Sequence, residues 1–267
     1  MKVWFPLLIA AFFFAACSPN NVKTDNSIGT YFKAAGVDGC FALLNNAGGE
    51  FTMYNLDRYR DSAYTPASTF KIVNSLIGLQ TGRIRSDSMV IRWDGINRGR
   101  SECNADMSMY QAFRLSCPPW YQEIARRIGR DTMQFWLDSL SYGNKKISAI
   151  DTFWLDNSLK IRADEQLGLV KRLYFDQLPF FKLNQQIVRN AMLFEDKPNY
   201  KLSYKTGWGF KEDGKNLAWI VGWIEENGHP YFFVLNFEKA GTADIPAIRM
   251  KLLKDILAHL GFFEGKM

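Results

Sequence analysis

Ser68 and Lys71 are the pair in this sequence whose types and spacing best suit covalent chemistry. They belong to Ser68-Thr69-Phe70-Lys71, which follows Thr65-Pro66 and opens an apolar run. Pro66 suits a first helical position, where a missing N–H costs nothing, and Thr65 is the expected cap. Ile72, Val73, Leu76, Ile77 and Leu79 then keep helical spacing and cover more than one face, which describes a buried helix. Residues three apart share one side of a helix, so the hydroxyl and the amine point into the same space. A serine with an amine one turn below it is an arrangement for acyl transfer without histidine.

The histidines point the same way. There are two, His229 in the turn Asn227-Gly228-His229-Pro230 and His259 in a C-terminal helical pattern. Neither has an evident acidic partner, and both read as surface residues, which argues against a Ser-His-Asp triad. Lys71 can serve as a base only if it loses its proton. Burial favours that, lowering a lysine pKa by as much as about 3–5 units. Ser-x-x-Lys alone is a short pattern that mostly marks ordinary helix, so the remaining chain decides its meaning.

Other elements must hold this pair. Residues 37–46 and 50–55 read as strands flanking the hairpin signal Asn46-Ala47-Gly48-Gly49. Residues 200–206, 217–225 and 231–237 read as three more, the last two joined at Asn227-Gly228. Residues 243–260 form an amphipathic helical pattern. Helical patterns also cover 107–115, 119–128, 131–139, 163–174 and 182–194. The simplest α+β arrangement is a five-stranded antiparallel sheet from both chain ends, flanked by helices, with an inserted helical subdomain. Ser68 then lies at the junction, where ligand clefts are favoured.

With 47% hydrophobic, 15% aromatic and 22% charged residues, the 267-residue chain reads as a globular protein with a large core. Its net charge of +6 comes from dispersed rather than clustered basic residues, so nucleic acid is not an expected partner. Residues 1–16, with Lys2 before a short apolar stretch, read as a secretory signal peptide. Phe14-Ala15-Ala16-Cys17 resembles a bacterial lipoprotein cleavage site, which makes Cys17 the lipidated residue and the membrane a partner. Residues 17–30 then act as a polar tether and 31–267 as the catalytic domain. Cys40, Cys103 and Cys117 remain. They lack metal-ligand spacing, and their count leaves room for one disulfide with the pair open.

Taken in order, further motifs carry a family resemblance: Trp93-Asp94-Gly95, Ser116-Cys117-Pro118, Tyr142-Gly143-Asn144, Phe153-Trp154-Leu155-Asp156 and Lys205-Thr206-Gly207. Together with Ser68-Thr69-Phe70-Lys71, this set resembles the class D serine β-lactamases, the oxacillinases, over about residues 30–262. The resemblance implies a β-lactamase/transpeptidase-like fold and hydrolysis of penicillin-type antibiotics, hence resistance, in the bacterial periplasm. It implies Ser68 as the nucleophile and Lys71 as the general base, carboxylated by carbon dioxide or bicarbonate, with no organic cofactor or metal. Ser116 relays a proton to the leaving nitrogen, Lys205 holds its hydroxyl, and the Trp154 indole N–H holds the carbamate. Thr206 and Arg249 bind the substrate carboxylate, and the backbone N–H groups of Ser68 and Trp208, beside Gly207, form an oxyanion hole.

Three positions depart from the family pattern. Pro118 replaces a valine beside the carbamate, Cys103 a tryptophan at the cleft edge, and Trp208 a smaller aromatic. The sequence thus predicts a more open cleft edge at Cys103 and an altered carbamate pocket at Pro118. A penicillin sensor that acylates once shares these motifs. Such sensors usually carry membrane-spanning helices before the domain, whereas this chain starts with a signal-like segment. A penicillin-binding peptidase would lack the Phe-Trp-Leu-Asp context.

Overall fold

The computed structural model describes residues 21–267. The expected signal peptide, residues 1–16, and Cys17 lie outside that range. Seven strands form the main sheet: β1 (Val22–Thr24), β2 (Asp38–Asn45), β3 (Glu50–Tyr54), β4 (Leu193–Asp196), β5 (Lys201–Phe210), β6 (Asn216–Glu226) and β7 (His229–Lys239). Their order is β1-β3-β2-β7-β6-β5-β4. All pairs are antiparallel except β1 with β3, which are parallel.

The expected five strands are therefore present, and each edge gains one more. β1 corrects the tether expectation. Val22 pairs with Phe51, and the Asp25 carboxylate accepts the Ser27 N–H at 3.0 Å, so residues from 22 onward belong to the folded domain. Residues 193 and 194, expected to end a helix, begin β4, because α8 (Lys182–Met192) stops at Leu193 in extended backbone.

The central strands are apolar throughout because both faces are covered. On β7, Phe232 and Val234 enter one core, while Tyr231, Phe233, Leu235 and Phe237 enter the other. Trp219, Val221 and Trp223 on β6 join the first core, and Ala218 and Ile220 the second. This is the two-residue alternation of a strand, with helices supplying apolar cover on each side. The first core continues into the helical region. The second lies under α1 (Gly29–Ala35) and α9 (Ile245–His259). At the β6–β7 turn, Asn227 and Gly228 both have positive φ, 51° and 77°, the geometry a two-residue hairpin requires.

Between the sheet halves lie α2 (Leu56–Asp61), α3 (Lys71–Gln80), α4 (Met109–Leu115), α5 (Pro118–Ile128), α6 (Arg130–Leu140) and α7 (Ala163–Tyr174), followed by α8. Helix α3 is buried on every side from Lys71 to Leu79, as its apolar spacing predicts. A short 3-10 turn, Ala67–Phe70, leads into it. Thr65 does not cap this turn. Its hydroxyl instead donates to the Trp154 carbonyl at 2.8 Å.

Candidate active site

Ser68 sits in the turn before α3, next to Ala67, whose φ of 48° is unusual for a residue with a side chain. Such backbone persists where its surroundings over-determine it, and it clusters at functional sites. Lys71 Nζ donates to Ser68 Oγ at 2.7 Å, so the pair read from the sequence meets in space. Lys71 is fully buried. Burial, and secondly the charge of Arg100, lower its pKa to about 7, which leaves much of the amine neutral at physiological pH. The Tyr121 ring lies 5.4 Å from Nζ. That ring is itself fixed by a 2.8 Å hydrogen bond between the Tyr121 hydroxyl and Ser75 Oγ.

Trp154 is also fully buried and stacks on Phe70, with ring centroids 5.5 Å apart. Its indole Nε1–H has no hydrogen-bond partner among the described residues. A buried donor left unmatched costs about 1–3 kcal/mol, and this N–H is open to an acceptor placed beside it. The Tyr142-Gly143-Asn144 motif holds this segment in place. Asn144 Nδ2 donates to the Ser158 carbonyl at 2.9 Å, and its Oδ1 accepts the Lys160 N–H at 3.0 Å. A Cβ on Gly143 would fall 2.0 Å from the Lys160 carbonyl oxygen, so only glycine fits there.

Lys205 reaches the site from β5 and donates to Ser116 Oγ at 2.9 Å. Burial first, then the positive charges of Lys71, Arg249 and Arg100, hold its pKa well below the ordinary lysine value. The charges acting on Lys205 are thus all cationic, and such a pocket favours an anionic ligand. Gly207 lets β5 pass close to the serine turn, since a Cβ there would lie 3.0 Å from the Pro66 carbonyl oxygen. Arg249 reaches under β5 from α9, donating to the Gly207 carbonyl at 2.6 Å, while its Nε has no partner among the described residues. Thr206 is half-buried on the same strand. Trp208 is 44% exposed on the rim, where its indole N–H donates to Asn216 Oδ1 at 3.0 Å.

The disulfide, whose pair the sequence leaves open, joins Cys103 to Cys117. One expectation is corrected. His259 does have an acidic neighbour, for Asp25 lies 3.8 Å away, and His259 Nε2 is 2.9 Å from Ser27 Oγ. That group joins the two ends of the domain, and the Asp25 carboxylate accepts from Ser27 rather than orienting the imidazole. Pro118 occupies the first position of α5, where its missing N–H removes no helical hydrogen bond. Arg100 and Tyr121 were missed, since neither belongs to a recognisable motif.

A cavity of about 530 Å³ is lined by Cys103, Trp93, Trp120 and Arg126 among others, and holds none of the residues named for chemistry. No group of three or more His, Cys, Asp or Glu side chains able to hold a metal occurs among the described residues.

The family model of the penicillin binding protein transpeptidase domain matches residues 35–258. Beta-lactamase OXA-5 of Pseudomonas aeruginosa is 35% identical over 268 residues, covering 99% of this chain and 100% of the relative. The chain belongs to the class D β-lactamases. The solved class D enzyme FUS-1 (OXA-85) of Fusobacterium nucleatum subsp. polymorphum superposes with a TM-score of 0.86 at 32% identity. The match covers 91% of this chain and all of that one. The C-terminal domain of the Bacillus licheniformis BlaR penicillin-receptor is also similar, with a TM-score of 0.85, 28% identity and coverage of 91% and 97%. Class D membership accounts for the shared fold.

Proposed function

We propose that this protein hydrolyses the β-lactam ring of penicillin-type antibiotics through an acyl-enzyme on Ser68, giving resistance. The observation that carries the reading is a pair of contacts from buried lysines to serines, Lys71 Nζ to Ser68 Oγ at 2.7 Å and Lys205 Nζ to Ser116 Oγ at 2.9 Å. Ser68 Oγ attacks the lactam carbonyl, and Lys71 takes its proton. The backbone N–H groups of Ser68 and Trp208 stabilise the oxyanion, each such donor being worth about 10²–10³ in rate. Ser116 passes a proton to the departing nitrogen while Lys205 orients its hydroxyl. Arg249 and Thr206 take the substrate carboxylate; a guanidinium suits that planar anion.

The residues around Lys71 fit carboxylation of its amine. Nζ is buried with its pKa lowered to about 7, and the fully buried Trp154 Nε1–H lacks an acceptor. A carbamate on Lys71 would supply the base for both the Ser68 proton and the deacylating water. The experiment is hydrolysis of a chromogenic cephalosporin by the purified protein, with and without bicarbonate. Turnover that rises with bicarbonate supports the reading, while absence of hydrolysis in either condition refutes it. Because Lys71 protonates below about pH 7, activity is expected to fall at mildly acid pH and recover with bicarbonate. Pro118→Val is expected to reduce that bicarbonate dependence; an unchanged dependence would show that Pro118 does not govern it.

We also propose that Cys17 carries lipid and tethers the enzyme to a membrane facing the periplasm. The support is Ala15-Ala16-Cys17, small residues directly before a cysteine at the end of an apolar stretch. Cys17→Ser is expected to release the protein into the soluble fraction and remove the lipid mass. A wild-type protein already soluble and lacking that mass would overturn the anchor.

A further inference from the structure

Ser116 occupies the joint between α4 and α5 in the left-handed region, with φ 59°. A residue with a Cβ holds that conformation only where its surroundings impose it. Helix α4 supplies part of the constraint, since the N–H groups of Ser116 and Cys117 bond back to Phe113 and Ala112 at 3.2 and 3.0 Å. The last carbonyls of a helix still need donors. Arg100 provides them, donating to the Leu115 carbonyl at 2.8 Å and the Ser116 carbonyl at 3.4 Å. Three residues after Arg100, at the end of the turn Ser101–Cys103, Cys103 is bonded covalently to Cys117.

A single short loop therefore grips the backbone on both sides of Ser116. The guanidinium holds the carbonyls of Leu115 and Ser116, and the disulfide holds the following residue. Pro118 tightens the joint further. A residue before proline is pushed to extended backbone, and Cys117 has φ −75° and ψ 113°. Two of the departures from the family pattern, Cys103 and Pro118, thus act at one place.

We propose that the Arg100–Cys103 loop is a positioning device for Ser116, with the Cys103–Cys117 disulfide as its main fastener. The disulfide keeps Ser116 Oγ within reach of Lys205 and aimed at the departing lactam nitrogen. Cys103 and Cys117 act through Ser116 and take no part in substrate binding. This rests on the acyl-enzyme reading, in which Ser116 delivers the proton. A displacement of about 1 Å at such a group can cost about 10²-fold in rate.

The test compares the wild-type protein with the Cys103→Ala/Cys117→Ala double variant, and with wild type whose disulfide has been reduced to two thiols by a phosphine. Three quantities are read: the rate constant for Ser68 acylation by a slowly deacylated penicillin, penicillin affinity in a Ser68→Ala background, and the unfolding midpoint. Acylation is expected to fall roughly 10- to 100-fold, with affinity in the Ser68→Ala background unchanged and the protein folded. Reoxidation of the reduced wild type should restore the rate. Equal acylation with and without the disulfide overturns this proposal alone. A matching loss of affinity or of folded protein makes the bond a plain structural staple and also overturns it. If the oxidised wild type forms no adduct, the acyl-enzyme reading fails and takes this proposal with it.

Discussion

Replacing Lys71 by alanine is expected to lower kcat for a penicillin by at least about 10³-fold, the scale of a lost general base. Lys71 is fully buried, and its Nζ donates to Ser68 Oγ at 2.7 Å. In the proposed mechanism this side chain takes the Ser68 proton and also serves deacylation, so the second step should suffer visibly. Any acyl-enzyme that forms in Lys71→Ala should persist. Bicarbonate should raise wild-type activity at mildly acid pH and leave the variant unchanged. The sign follows from the lowered pKa of about 7. Above that pH the amine is largely neutral and can react with carbon dioxide; below it, protonation removes the nucleophilic lone pair. A Lys71→Ala protein that turns over substrate at the wild-type rate, or that bicarbonate accelerates equally, would contradict the role.

Ser68→Ala should be more severe still, with kcat reduced by about 10⁶-fold, as when a nucleophile is removed from a cooperating set. The loss should be chemical rather than structural. Ser68 is only partly buried, in the turn before α3. The buried apolar face of α3, from Ile72 to Leu79, is untouched by the change. The unfolding midpoint should therefore move little, and penicillin should still bind reversibly through Arg249, Thr206 and Lys205. Residual turnover near the wild-type level would place the nucleophile elsewhere.

Much of this site was readable before the fold was known, because local geometry carries it. Ser68 and Lys71 are one helical turn apart, and the observed contact follows from that spacing. The strand around Lys205 is followed by two long apolar runs, and Asn227-Gly228 announces the β6–β7 hairpin that they form. What escaped depends on long-range pairing. β1 has three residues, Val22–Thr24, with no pattern of its own, and it exists because β3 offers an edge. Cys103 and Cys117 are fourteen residues apart in sequence, and three cysteines allowed several pairs. Thr65 looked like a helix cap, but the Trp154 carbonyl, 89 residues away, takes its hydroxyl. Arg100 has no motif; its part is visible only where it meets the end of α4.

The most direct measurement of the central claim is time-resolved intact-protein mass spectrometry with a large excess of a penicillin, alongside counting of the hydrolysed product. An adduct on Ser68 should form and then disappear as many equivalents of product accumulate, and Ser68→Ala should show neither. One equivalent of product with a lasting adduct would make the domain a receptor like the C-terminal domain of BlaR, which it resembles at a TM-score of 0.85. No adduct in the wild type, or one that persists in Ser68→Ala, would contradict the assignment of Ser68 itself.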